Sequence, residues 1–118
     1  MHMLGLGLTG FVAVAHVWFF VLESFLWKKL APGLFHEPRE KVEATAVMAQ
    51  NQGVYNLFLA AGLVWALAGD PAQLLPRATF FLGCVIVAGI VGAATASIRI
   101  LYIQAAPAVL ALVFLRLA

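Results

Sequence analysis

Charged residues are scarce in this 118-residue chain. Lysine, arginine, aspartate and glutamate make up 10% of it, whereas hydrophobic residues make up 64%. Soluble domains carry about 25% charged residues, so this chain has too few charges to cover the surface of a compact soluble domain. Apolar residues dominate everywhere except in one stretch, which excludes a disordered tail. We therefore expect the protein to lie in a lipid bilayer.

Residue patterns for metals, nucleotides and nucleic acids are also lacking. Cys84 is the only cysteine, which excludes an internal disulfide and a metal site built from several cysteines. The three histidines lie on separate segments without metal-binding spacing, so no metal site is predicted. No phosphate-binding loop, nucleophile elbow or dinucleotide fingerprint occurs. No basic cluster with interleaved aromatic residues occurs, and we expect no nucleic-acid partner.

The apolar segments predict an all-α protein, an integral membrane four-helix bundle that forms a single domain. A helix needs about 20 mostly apolar residues to cross a hydrocarbon core of roughly 30 Å. The N-terminal apolar run lacks a basic region and is too long for a signal peptide, so we expect it to be retained as the first span. The four spans are predicted at residues 3–27, 44–68, 77–95 and 98–117.

Proline, glycine and polar residues indicate where these helices stop or bend. The second helix is expected to begin near residue 38, outside the bilayer. A break is required before the fourth span, because the apolar region there is too long for one crossing. The predicted turns, ends and kinks are at Pro32-Gly33, Gly69-Asp70-Pro71, residues 96–99 and Pro107.

Basic residues predict the orientation of the bundle. Seven of the twelve charged residues fall within residues 28–43. Five of the seven lysine and arginine residues belong to the two connectors that share one side of a four-span bundle. Because cytoplasmic loops are enriched in these residues, we expect residues 28–43 in the cytoplasm and both termini outside, in the cell inner (plasma) membrane.

Several polar side chains lie inside the predicted spans, where lipid makes them costly and function or a specific partner is expected. His16 and Glu23 are seven residues apart and share a helix face. Glu23 and Arg99 lie at similar depth, which predicts an ion pair. The candidate catalytic residues are His16, Glu23 and Arg99. The candidate ligand-binding residues are Asn51, Gln52, Tyr55, Asn56, Thr95, Tyr102 and Gln104.

These polar groups converge on one half of the predicted bundle, and two interpretations follow. One is a polar pocket that opens towards the cytoplasm and narrows towards His16. The other is a structural network, because asparagine and glutamine in membrane helices often link neighbouring helices by hydrogen bonds.

Parts of the sequence resemble a family of small integral membrane proteins catalogued as domain of unknown function 1304. The resemblance covers essentially the whole chain and implies four spans, but no activity. It is carried by His16, residues 23–27 (ESFLW), residues 51–63 (NQGVYNLFLAAGL), residues 88–93 (AGIVGA), Gln104 and Pro107-Ala108.

The layout also resembles the membrane-associated proteins of eicosanoid and glutathione metabolism (MAPEG), which are trimeric four-helix bundles that bind glutathione between subunits. Asn51 matches an asparagine of that family, and Arg99 with Tyr102 matches a later pair. Gln52 and Tyr55 stand where an acidic residue of that family is expected. This resemblance implies a glutathione-dependent transferase or lipid isomerase, with glutathione as its cofactor.

Four functions therefore stay open at the level of sequence. The first is a pocket for a lipophilic or amphiphilic small molecule. The others are a MAPEG-like enzyme, a small multidrug-type transporter and a non-catalytic scaffold subunit. Glu23 lies near the end of its span, whereas such carriers need a carboxyl group near the midplane. Membrane lipids, a lipophilic small molecule and a homo-oligomer of two or three copies are the expected partners.

A reporter fused to the C-terminus tests the predicted orientation. An even number of spans with the charged connector in the cytoplasm places Ala118 outside. We expect activity from a reporter that works only outside the cytoplasm, and none from one that works only inside. Activity confined to the cytoplasm would contradict the topology.

Overall fold

The computed structural model describes all 118 residues, and it contains helices and no strands. This confirms the all-α class. A 3₁₀ turn at Pro71–Gln73 precedes the fourth α-helix, and a π-helical turn at Leu101–Ala105 precedes the fifth. The five α-helices are α1 (His2–Phe25), α2 (Trp27–Leu34), α3 (Arg39–Ala68), α4 (Leu74–Thr95) and α5 (Ala106–Leu117).

Two helical segments, His2–Phe25 and Pro71–Thr95, are long and apolar enough to cross a membrane. Leu101–Leu117 is apolar but shorter. Helix α3 has 30 residues, yet its amide side chains lower its hydropathy and it does not meet the same test. The bundle of four spans therefore stays a prediction.

The chain divides into two compact units, and the larger contains Met1–Val14 with Leu59–Ala118. Its core joins residues from α1, α3, α4 and α5. Helix α4 comes close to the π-helical turn, because a Cβ added to Gly89 would lie 2.8 Å from the Cβ of Ala105. The buried core residues are Val12, Ala13, Leu63, Ala66, Ala78, Leu82, Val85, Ala108, Ala111 and Leu115.

Two of the predicted helix breaks are confirmed. Helix α3 ends at Ala68, and the Asp70 carboxylate accepts a hydrogen bond from the backbone N–H of Ala72 at 3.0 Å. Helix α4 ends at Thr95, directly before residues 96–99, where apolar length required a break. There the Ser97 hydroxyl oxygen accepts a hydrogen bond from the backbone N–H of Arg99 at 3.3 Å.

Pro32 differs from the prediction, because it lies inside α2 and not in a turn. As the sixth of eight residues in this helix, it removes a backbone donor near the C-terminal end. Pro76 lies in the first turn of α4, where a proline removes no helical hydrogen bond, so this helix begins before residue 77. Pro107 follows the π-helical turn, in which the Ala106 N–H donates to the Leu101 carbonyl five residues back.

The second unit, Ala15–Phe58, holds α1 and α3 together around Gly53. A Cβ at Gly53 would contact the Ser24 hydroxyl and would lie 3.1 Å from the Phe20 carbonyl oxygen. The Ser24 hydroxyl donates a hydrogen bond to the Gln50 carbonyl at 3.0 Å. The two backbones thus approach closely because position 53 has no side chain.

The connector between α1 and α3 is also part of this unit. Its helix α2 is fixed to α3 by the indole N–H of Trp27, which lies 3.1 Å from the Val42 carbonyl and 3.2 Å from the Thr45 hydroxyl. Between α2 and α3 the chain turns at His36, whose φ of 54° lies in the left-handed region. The connector is therefore an ordered helix and a turn.

The Gly53→Ala substitution tests this close approach. We expect it to lower the free energy of unfolding by about 1–3 kcal/mol, as overpacking does, because the added methyl displaces the Ser24 hydroxyl. Gly83→Ala is the matched control: this helical glycine has nothing within 4 Å of an added Cβ, so alanine should be neutral or stabilising. Denaturation in detergent micelles, followed by circular dichroism, measures both; equal stabilities would contradict the contact.

Candidate functional site

Glu23 of α1 and Asn56 of α3 form a carboxyl–amide pair within the Ala15–Phe58 unit. The side-chain N–H of Asn56 donates a hydrogen bond to the Glu23 carboxyl oxygen Oε1. Asn56 is buried, with 8% of its surface exposed, and Glu23 is partly buried. Asn56 lies three residues after Gly53, so the close approach of the helices there brings the two side chains within reach.

The second carboxyl oxygen of Glu23 is open. Only Oε1 takes part in the bond with Asn56. Oε2 has no hydrogen-bond partner. It is not fully enclosed, because Thr79 Oγ1 is the one enclosed side-chain polar atom of the structure that lacks a partner. A carboxyl oxygen in this position can accept a hydrogen bond from a hydroxyl or an amine.

The structure gives Glu23 a partner within its own unit, whereas Arg99 belongs to the larger unit, and the predicted ion pair stays a prediction. The structure pairs Glu23 with Asn56, and its one salt bridge joins Lys41 to Glu37 at 3.2 Å. Arg99 is exposed and lies just after the break that follows α4. The amide of Asn56 engages one oxygen of the Glu23 carboxyl group without bringing a second charge into the apolar region.

His16 is enclosed two helical turns from Glu23. Only 1% of its surface is exposed, and its ring lies edge-on to Phe19 with 5.2 Å between centroids. Seven residues correspond to about 10 Å along a helix, so His16 and Glu23 share a face but do not contact each other. A proton could pass between them only through intervening groups.

The polar residues of α3 do not form one cluster. Asn56 faces α1, whereas Asn51, Gln52 and Tyr55 are exposed. The Tyr55 ring contacts Phe58 edge-on, with 5.8 Å between centroids. Gln52 lies one turn before Asn56 on α3, but of these residues only Asn56 is buried and hydrogen-bonded to Glu23.

The remaining candidate ligand-binding residues belong to the larger unit. The Thr95 hydroxyl donates a hydrogen bond to the Val91 carbonyl at 2.7 Å, within its own helix. Tyr102 is 68% exposed, and Gln104 is partly buried and already engaged by other groups.

Two shallow, open depressions on the larger unit are not lined by any of the predicted site residues. No three His, Cys, Asp or Glu side chains are close enough to hold a metal ion. One depression, of about 220 Å³, is lined by His2, Pro71, Ala72, Leu74, Leu75, Leu115 and Ala118. The other, of about 610 Å³, lies on α4 and is lined by Thr79, Phe80, Gly83, Cys84, Val87 and Ala88.

Ser24 and Gly53 support the pair, although neither was predicted as a site residue. Ser24 follows Glu23 directly, and Gly53 precedes Asn56 by one turn of α3. A small hydroxyl residue beside an acid in a predicted span, and a glycine beside amides in another, are both typical of close helix contacts. That combination is the signal that could have identified them.

A double-mutant cycle measures the carboxyl–amide pair. Asn56→Leu removes the donor from a partly buried carboxyl group, and we expect a loss of about 1–3 kcal/mol in stability. Combining it with Glu23→Leu should recover most of that loss, because neither polar group is then left alone. Gln52→Leu, one turn away and exposed, is the control and should change stability by less than about 0.5 kcal/mol. Additive effects of the two single substitutions would show that the pair contributes nothing.

The comparisons with known proteins agree with one of the two resemblances. A search of curated proteins and of solved structures finds no match to this chain. The resemblance to the MAPEG family finds no support there. The family model described as Protein of unknown function (DUF1304) matches residues 10–116. With nearly its whole length matched, the chain belongs to the DUF1304 family.

Proposed function

We propose that this chain is a multi-pass membrane protein that binds an amphiphilic small molecule at the Glu23–Asn56 pair. The observation that carries the proposal is a carboxyl–amide pair near the end of α1, a helix long and apolar enough to cross a membrane. In lipid an ionisable side chain is costly to maintain, and its presence indicates a functional role. The proposal includes the four membrane spans that hydropathy predicts.

The pair offers a ligand one oriented acceptor. Asn56 holds Oε1 of Glu23, which fixes the plane of the carboxyl group and leaves Oε2 accessible. A ligand with a hydroxyl or amine head group can donate to that oxygen. In a medium of low dielectric constant such a hydrogen bond is stronger than in water.

The surface of α1 around Glu23 suits an apolar body. Phe19 and Phe20, one turn before Glu23, and Leu26, one turn after it, lie on the same side and are partly exposed apolar residues. A molecule that places its head group at Glu23 would therefore lay its hydrocarbon part along an apolar surface. This combination favours an amphiphile over a fully polar metabolite.

Transport and catalysis are less well supported. Glu23 is two residues from the end of α1 at Phe25, whereas a carrier needs its carboxyl group near the midplane. Acid–base catalysis needs a second group within hydrogen-bond reach of the substrate, and His16 lies about 10 Å away along the helix.

A second candidate is a structural role in an assembly of identical chains. Asn51, Gln52 and Tyr55 are exposed on α3. Amide groups exposed to lipid favour association, because a neighbouring helix can satisfy their hydrogen bonds. Asparagine and glutamine carry both a donor and an acceptor, so a second copy of the same surface could pair with it.

Ligand-induced stabilisation tests the binding site. The probes are three molecules with the same twelve-carbon chain and an amine, a hydroxyl or a carboxylate head group, added to protein in lipid nanodiscs. We expect the amine and the alcohol to raise the thermal midpoint and the carboxylate to have no effect. At a ligand concentration of 100 times Kd the stabilisation is about 2.7 kcal/mol.

Glu23→Leu should abolish this stabilisation, and Glu43→Leu, which removes an exposed carboxylate of α3, should retain it. Equal midpoint shifts in both variants, or none in the wild type, would overturn the ligand site. Native mass spectrometry of the same samples reports the number of copies. A ligand-free spectrum of a stable dimer or trimer would favour the assembly role.

A further inference from the structure

Helix α2 is amphipathic, and the protein covers only part of its apolar side. Trp27, Leu30, Ala31 and Leu34 follow the spacing i, i+3, i+4, i+7 and share one face of this helix. Ala31 is fully buried, whereas Leu34 is 51% exposed. The apolar face therefore extends beyond what the Ala15–Phe58 unit covers.

The residue after α2 extends this uncovered surface. Phe35 is 50% exposed, and its ring lies 5.7 Å from the ring of Trp27 between centroids. The hydrogen bonds from the Trp27 indole to α3 hold the opposite end of the face in place. Leu34 and Phe35 thus form an apolar surface of which the protein covers only about half.

The charges of this region are separated between two helices. Lys28 and Lys29 are exposed on α2, which carries no acidic residue. The acidic side chains lie at the start of α3 and just before it, where Lys41 is paired with Glu37 at 3.2 Å. Helix α2 therefore presents two cations without a carboxylate of its own.

The position of α2 in the chain indicates that this surface faces lipid. Leu26 alone separates it from α1, which is long and apolar enough to cross a membrane. A helix that begins one residue after a span lies at the level of the lipid head groups. Aromatic and lysine side chains are typical of that level.

We propose that α2 lies in the membrane interface, with Leu34 and Phe35 among the acyl chains and with Lys28 and Lys29 on anionic lipid head groups. The proposal rests on the membrane location proposed above and not on the ligand site. Lipid covers the apolar face that the protein leaves open, and the negative surface potential of the leaflet attracts the two lysines. The helix would thereby hold one end of α1 at a fixed depth.

Spin labels on engineered cysteines test the depth of α2 in a Cys84→Ser background. The variants are Leu34→Cys on α2, Val17→Cys on α1 and Glu43→Cys on α3, each reconstituted in two kinds of vesicle. One kind is pure phosphatidylcholine, and the other contains one-quarter phosphatidylglycerol. Accessibility to oxygen reports lipid, and accessibility to a water-soluble nickel chelate reports water.

We expect the label at position 34 to be accessible to oxygen and protected from nickel in the anionic vesicles, and the label at position 43 to show the reverse. In Leu34→Cys protein, each of Lys28→Gln and Lys29→Gln should lower the ratio of lipid-inserted to aqueous label about five-fold, as expected for one basic residue at an anionic surface. Lys28→Arg and Lys29→Arg keep the charge and should leave the ratio unchanged.

The outcomes separate the two proposals. If position 17 reports lipid while position 34 is as accessible to nickel as position 43 in both vesicles, the interfacial helix is overturned and the membrane location stands. If position 17 also reports water, the membrane location itself is wrong. Insertion at position 34 that does not respond to removal of the lysines would overturn the anionic head-group contact.

Discussion

The missing side chain at Gly53 allows the backbones of α1 and α3 to come close enough for short polar side chains to reach across. Ser24 bonds to the carbonyl of Gln50, and Asn56 bonds to Glu23, on either side of that glycine. In lipid, helices are held together by close packing and hydrogen bonds, because the surrounding medium is as apolar as their side chains. The same contact therefore supports both the packing of this unit and its polar site.

Local signals in the sequence predict much of the fold. Asp70 and the polar residues near position 97 end helices through their own hydrogen bonds to nearby backbone groups, so the breaks there follow from a few neighbouring residues. Helical periodicity places His16 and Glu23 on one face for the same reason. The all-α class follows from the length of the apolar segments alone.

The partner of Glu23 and the structure of the connector do not follow from such signals. Depth estimated from residue number gives the height of a side chain along its helix but not which neighbour it faces, so it does not identify Asn56 as the partner of Glu23. The polar composition and the Pro32-Gly33 pair predicted a turn where the structure has a helix. An eight-residue helix is too short for composition to reveal, and its contacts through Trp27 involve residues far along the chain.

The π-helical turn at Leu101–Ala105 changes how the fourth apolar segment can vary in length. Such a turn holds one more residue than an α-helical turn, so the residues after it are rotated by about 100° relative to a continuous helix. Ala108, Ala111 and Leu115 reach the core in that rotated register. A chain with one residue fewer at this turn could close it to an ordinary helix and keep the same residues inward, which makes this turn a site where related chains can differ by a single-residue deletion.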